Sequence, residues 1–298
     1  MSKPTPAKGL IALLRLPYWL MTGGLSLLTA FAIFSTSRST FSLTVQTAAL
    51  IFFSMAFITS AGFAINDYFD RESDALIKPK RPIPSGNLTL KQVIAISSIL
   101  FAGGLIMAAF INLLSFIVIL VDSLLLLIYS TLVKRKSGFG ANILIGILTG
   151  TAFLYGETTV SVPSTISLIS LSLYPIAFGT IGGNVLRDVI SMDGDKKVGY
   201  PTLPQKIGAG GSGKVAALFF ALTAVFAPLP YLLGYFNNYY LSLILVWSVI
   251  LICSSVLLTI KGSTVSNVRK YERIVTMSMI LLPLALIVQA ISRIWGGA

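Results

Sequence analysis

Carboxylates are scarce in this chain, and they are not scattered. Of its ten acidic residues, seven fall in two short stretches, INDYFDRESD (65–74) and DVISMDGD (188–195). If each stretch is helical, residues advance about 100° each and those four apart share a face. Asn66, Asp70 and Asp74 then form one stripe, which Asp67 joins and Glu72 does not. Asp188 and Asp195, two turns apart, form another with Ser191 between them, while Asp193 points elsewhere. Facing stripes of carboxylates repel unless positive charge lies between them. Oxygen ligands without His or Cys suit a hard cation, Mg²⁺ or Mn²⁺. Such an ion completes its shell with water and substrate phosphate. Arg71, Lys78, Arg81, Arg187 and Lys196 are interleaved with the acids and suit phosphate as well. The chemistry implied is a Mg²⁺–diphosphate head-group site at the mouth of a helical bundle. An apolar interior behind it would take a long hydrocarbon tail. The plainer alternative is two solvated, salt-bridged loops.

The elements that must carry these residues are membrane helices. The 298 residues are 55% hydrophobic, with a mean hydropathy of +0.87. Charged residues are 11%, against about 25% in soluble domains. Apolar runs of about 20 residues, long enough to span a bilayer, recur throughout. They predict an all-α, polytopic membrane protein with nine transmembrane helices, near 10–34, 43–66, 90–110, 112–133, 141–157, 164–187, 214–234, 239–260 and 272–295. A β-barrel would show short alternating segments instead. With nine spans, all but two of the 22 basic residues fall on one side, the exceptions being Arg38 and Arg293. The positive-inside rule then puts the N-terminus in the cytoplasm, the C-terminus outside, and both acidic stretches on the cytoplasmic side of a cell-membrane protein. One domain, 1–298, is expected, with cytoplasmic loops 67–90 and 188–213 carrying the acids. The first span lacks a small-residue cleavage site and is expected to be retained.

Several chemistries are excluded. The chain has no histidine, so Ser-His-Asp catalysis and His-ligated metals are absent. Its one cysteine, Cys253, cannot form an intrachain disulfide. No soluble segment is large enough to bind nucleic acid, and no obligate protein partner is indicated; the partners expected are substrates and membrane lipids. GAGGSGKV (208–215) imitates a phosphate loop but ends in Val215 where Ser or Thr should bind Mg²⁺, and no strand precedes it. It is expected to be a flexible lead into the seventh span. Asp122 sits near the middle of the fourth span, about 18 Å along the helix from Lys134. It faces the interior, bonds a neighbouring helix or is protonated, and is too distant for the metal site. The pairs Gly23–Gly24, Gly103–Gly104 and Gly182–Gly183 are expected at close helix contacts. A transporter is the non-enzyme alternative, although its charges would usually lie nearer the midplane.

The motifs also resemble a known family. NDYFDRESDALIKPKRPIPSG (66–86) resembles the first aspartate-rich motif of the UbiA-type intramembrane prenyltransferases, N-D-x-x-D-x-x-x-D followed by R-P-I-P-S-G. DVISMDGDKKVGYPTLPQKIG (188–208) resembles the second, with Ser191 where the family usually has the first Asp of its pair. YSTLVKRKSGFGANILIGILTGTAFLYG (129–156), with Tyr129, Lys134, Gly140 and Asn142, is most similar to the archaeal branch that makes digeranylgeranylglyceryl phosphate. The resemblance covers about residue 10 to the C-terminus. It implies a UbiA-type bundle around a central apolar chamber and Mg²⁺-dependent prenyl transfer, with metal ligands Asn66, Asp70 and Asp74 on one side and Asp188 and Asp195 on the other. It implies that Arg81 and Lys134 hold phosphate. Arg15 either reaches the same mouth or anchors the first span at the interface beside Tyr18 and Trp19. Tyr129 either supports cationic charge near the reacting carbon or belongs to an aromatic belt. The archaeal branch takes geranylgeranyl diphosphate as donor and the sn-2 hydroxyl of geranylgeranylglyceryl phosphate, a lipid-like phosphate, as acceptor. An aromatic acceptor, as in quinone or chlorophyll biosynthesis, is the alternative within the family.

Overall fold

The computed structural model describes residues 5–36, 43–160, 168–262 and 264–295. Lys3, Arg38 and the first residues of the span expected at 164–187 lie outside the described residues. The described chain is helical: α1 (Pro6–Leu14), α2 (Pro17–Thr36), α3 (Val45–Phe69), α4 (Arg71–Ile77), α5 (Leu90–Ile111), α6 (Leu113–Ile128), α7 (Lys134–Lys136), α8 (Gly138–Val160), α9 (Ile169–Leu173), α10 (Phe178–Lys197), α11 (Leu203–Phe226), α12 (Leu229–Leu232), α13 (Asn238–Ile260), α14 (Val265–Ser278) and α15 (Leu281–Trp295). Joined end to end where they abut, they give nine runs long and apolar enough to cross a membrane. The protein is a multi-pass membrane protein.

Neighbouring spans pack side by side. α2 lies on α3, α3 on α5, α5 on α6, α6 on α8, α8 on α10, α10 on α11, α11 on α13 and α13 on α15. α15 then returns to α2 and closes the ring, while α2 also meets α8 across it. The outward faces stay apolar: Ile99, Phe110 and Val249 are largely exposed. In water such a surface would aggregate, whereas lipid solvates it. Inside, Phe153, Tyr155, Phe220, Tyr240 and Trp247 are buried. Some polar groups among them find partners, as the Ser54 and Tyr155 hydroxyls do at 2.7 Å. Asp122 is buried on α6, and its Oδ1 has no hydrogen-bond partner among the described residues.

Two of the three glycine pairs divide their labour, while Gly103 and Gly104 both face α3, against Phe57 and Ile58. A Cβ on Gly23 would collide with the Phe52 carbonyl on α3, and one on Gly182 would meet Phe220 and the Ala216 carbonyl on α11. Gly24 and Gly183 face open space. The Gly23→Ala variant is therefore expected to lose about 1–3 kcal/mol, because the obstacle is backbone and α2 must move off α3. Gly24→Ala should be neutral or slightly stabilising. Thermal unfolding of the two variants in detergent checks the contrast.

Two expectations need correction. The segment 188–213 is not mainly loop, since the end of α10 and the start of α11 occupy most of it, and α4 takes part of 67–90. GAGGSGKV is likewise no flexible lead. It lies within α11, which bends at Gly208, where φ is 72°. Only that residue needs the left-handed region that glycine enters freely.

Candidate functional site

Both acidic stretches lie at one end of the bundle. α3 ends at Phe69, and Asp70 adopts φ −86° and ψ 0°, so the helix breaks there before α4 resumes. An unbroken helix from 66 to 74 is therefore not what forms. The break still leaves Asn66 Nδ2 donating to Asp70 Oδ2 (2.9 Å) and the Asp74 amide donating to the Asp70 carbonyl (2.8 Å). The second stretch keeps regular period within α10. Asn142 of α8 donates to Asp188 Oδ2 (2.7 Å), and the Ser191 hydroxyl donates to Asp195 Oδ2 (2.6 Å).

A cavity between the two is lined by Asp70, Asp74, Lys78, Tyr129, Lys134, Asn142, Asp188, Ser191, Asp195, Tyr200 and Thr202, with Ile77, Gly138 and Ala141. Lys134 reaches it through a local irregularity. Tyr129–Val133 forms a π turn, in which the Lys134 amide bonds the Tyr129 carbonyl. On a regular helix, residues five apart point about 140° away from each other. An i→i+5 turn stacks them instead, so both side chains face the cavity. The Lys134 ammonium there pairs with Asp70 Oδ2.

Asp67, Arg15 and Arg81 form a separate buried cluster. Asp67 is 2% exposed and takes both Arg15 (2.6 Å) and Arg81; Arg81 also lies 3.6 Å from Asp74. Arg15 occupies the left-handed region at φ 50°, a strained place for a residue with a side chain. That conformation breaks the first span just before Pro17, and the guanidinium turns inward over Phe63, 4.2 Å from the ring centre. Arg15 and Arg81 thus meet Asp67 and do not line the cavity. The Trp19 indole N–H nearby bonds Ser60 (2.6 Å). Glu72 points away, as expected, and pairs with Arg71 (3.1 Å).

The donors around the cavity fit a hard cation. They are the oxygens of Asp70, Asp74, Asp188, Asp195 and Ser191; Asn66 does not line the cavity, but it bonds Asp70 and its own buried Oδ1 has no hydrogen-bond partner. Burial raises the Asp74 carboxyl above its usual range, opposed in part by Arg81 and Lys78. Burial, then Arg81, lowers Lys78. A desolvated carboxyl of this kind gains from an arriving cation. Among the described residues no three acids already converge on one point.

Tyr200 is not among the expected site residues, yet its phenol donates to Asp70 Oδ1 (2.7 Å). It sits in the short loop between α10 and α11, and no local pattern marks a contact with a residue so distant in the chain.

An all-α membrane bundle with a carboxylate- and lysine-lined pocket at one end is the class of an intramembrane enzyme for phosphate-bearing lipids. The UbiA prenyltransferase family matches residues 25–282, and the chain belongs to that family. Digeranylgeranylglyceryl phosphate synthase of Methanocaldococcus jannaschii is 36% identical over 256 residues, 85% of this chain and 87% of that one. The synthase of Methanococcoides burtonii is 36% identical over 219 residues, 74% and 77% of the two chains. A solved structure of a digeranylgeranylglyceryl phosphate synthase superposes with a TM-score of 0.79 at 30% identity, covering 96% of this chain and 99% of that one. A UbiA homologue from Archaeoglobus fulgidus, solved with DMAPP and Mg²⁺, shares the fold with a TM-score of 0.65 at 21% identity, covering 93% and 99%.

Proposed function

We propose that this chain transfers a geranylgeranyl group from geranylgeranyl diphosphate to the sn-2 hydroxyl of geranylgeranylglyceryl phosphate, in the synthesis of archaeal ether lipids. The observation that carries the reading is the meeting of both acidic stretches and Lys134 around one cavity at the end of an apolar bundle. The relatives that share about a third of its residues carry that enzyme's name. The basic bias of that end of the bundle supports a site facing the cytoplasm, with the N-terminus inside and the C-terminus outside.

Asn66, Asp70 and Asp74 would hold one Mg²⁺, and Asp188 and Asp195 another. When bound, the ions supply charge neutralisation for the diphosphate, so that it can leave with the electrons of the C1–O bond. Lys134 leaves Asp70 for a phosphate oxygen and stabilises the same developing charge. Lys78 sits on the same wall and adds to that field. Tyr129 presents its ring to the cationic C1. The apolar interior excludes water, which would otherwise capture the cation. The acceptor oxygen then bonds to C1, and its proton passes to the released diphosphate. Asn142 holds the Asp188 carboxylate toward the cavity, and Ser191 does the same for Asp195.

The test supplies purified protein with geranylgeranyl diphosphate and Mg²⁺, and offers geranylgeranylglyceryl phosphate or 4-hydroxybenzoate. The expected product is a lipid phosphate with two geranylgeranyl chains, with one diphosphate released per product molecule and none after chelation by EDTA. A prenylated aromatic product instead would keep the family and overturn the acceptor. No diphosphate release with either would reopen the transporter reading.

A further inference from the structure

Asp70 is fully engaged before any ligand arrives. Its Oδ2 takes Asn66 Nδ2 and the Lys134 ammonium, and its Oδ1 takes the Tyr200 phenol at 2.7 Å. A cation settling on Asp70 repels the ammonium but not the neutral phenol, so the two donors part company on binding. The phenol's own position is well fixed. Its oxygen lies 3.0 Å from the Ser73 hydroxyl, and its ring lies 5.0 Å beneath the Lys134 nitrogen. The backbone around it is tied at three points. The Tyr200 amide bonds the Asp195 carbonyl (2.9 Å), Gln205 Nε2 bonds the Tyr200 carbonyl (2.7 Å), and the Gly138 amide bonds the Pro201 carbonyl (2.9 Å). Gly199, at φ 75°, makes the turn that swings the loop back across the site. A side chain on Gly138 would press on the Pro201 carbonyl from 2.9 Å and push the loop away.

We propose that Tyr200 is a positioning residue that links the two acidic motifs. It starts on the backbone of Asp195, a carboxylate of the second motif, and ends on Asp70, a carboxylate of the first. It holds the Asp70 carboxylate in one orientation and keeps the Lys134 ammonium beside it until a cation displaces that charge. The two halves of the head-group site are therefore set relative to each other by one phenolic hydrogen bond. Such outer hydrogen bonds are worth about 10–100-fold in metal affinity elsewhere. The proposal rests on the metal reading given above.

The test is Mg²⁺ binding by titration calorimetry, on the full chain in lipid nanodiscs, with neither donor nor acceptor present. Tyr200→Phe keeps the ring under Lys134 and removes only the hydroxyl. It is expected to weaken Mg²⁺ binding about 10–100-fold. Its melting temperature without metal should stay near that of the parent. In turnover it should raise the Mg²⁺ concentration at half-maximal rate more than it lowers the rate at saturating Mg²⁺. Ser73→Ala keeps the Tyr200–Asp70 bond and is expected to bind Mg²⁺ as the parent does. Parental Mg²⁺ affinity in Tyr200→Phe overturns the proposal, and so does an equal loss in Ser73→Ala, which would mean general loosening of the loop. A parent chain that binds no Mg²⁺ overturns the metal reading itself, and this proposal falls with it.

Discussion

Replacing Asp70 by Asn is expected to lower the transfer rate by about 10²–10³-fold, the usual cost of removing one group that stabilises transition-state charge. Asn fills the same space, but its single oxygen can accept from Asn66 or from Tyr200 and not from both, because the two donors meet different oxygens of Asp70. What it lacks is the negative charge that attracts a cation. It also leaves Lys134 without its counter-ion, so the ammonium no longer waits in the cavity in a defined place. The fold should survive, because a desolvated carboxylate is removed and not added. The melting temperature of the variant should match the parent's or exceed it. Glu72→Gln is the control: Glu72 is 85% exposed and touches only Arg71, so activity should not change. Product formation by mass spectrometry, beside a thermal melt, reads both quantities. Parental activity with parental Mg²⁺ dependence in Asp70→Asn would remove the keystone of the proposed site.

The sequence was most informative where structure is regular. The Asp188, Ser191 and Asp195 stripe lies on one unbroken helix, so a 3.6-residue period described it well. The nine spans followed from hydropathy alone, because each must satisfy its backbone within lipid as a helix. Their ends did not, since α10 and α11 run on past the apolar stretch on polar residues. The first stretch was harder. No proline or glycine announces the break at Asp70, which comes from the tertiary demand of Asn66, Lys134 and Tyr200 on one carboxylate. The π turn before Lys134 is equally silent, since its residues YSTLV have no composition of their own. Arg81 and Asp67 were both visible as charges, but their mutual burial was not. Helical phase placed Asp67 on the stripe without saying which cation would take it.

That cluster yields the second large prediction. Arg81 stands between Asp67 and Asp74, and both carboxylates are only 2% exposed. Arg81→Ala would leave Asp67 with Arg15 alone and Asp74 with Lys78, 3.9 Å away. Breaking a buried ion pair by removing one partner costs about 3–5 kcal/mol, because the remaining charge is desolvated and unpaired. The variant is therefore expected to unfold at a clearly lower temperature before any question of catalysis arises. A residue that served only to bind phosphate would behave otherwise, weakening donor affinity at unchanged stability. The two roles separate in a double variant. Asp67→Asn removes the charge that Arg81 neutralises, so adding it to Arg81→Ala should recover most of the lost stability, a coupling that neighbouring residues show and distant ones do not. If it does, Arg81 acts on the site by holding Asp67 and Asp74 in place, and any remaining rise in the KM for the donor measures its direct part in binding phosphate. If stability is parental in Arg81→Ala alone, the guanidinium is free to serve substrate and the buried cluster is not what fixes the loop that follows α4.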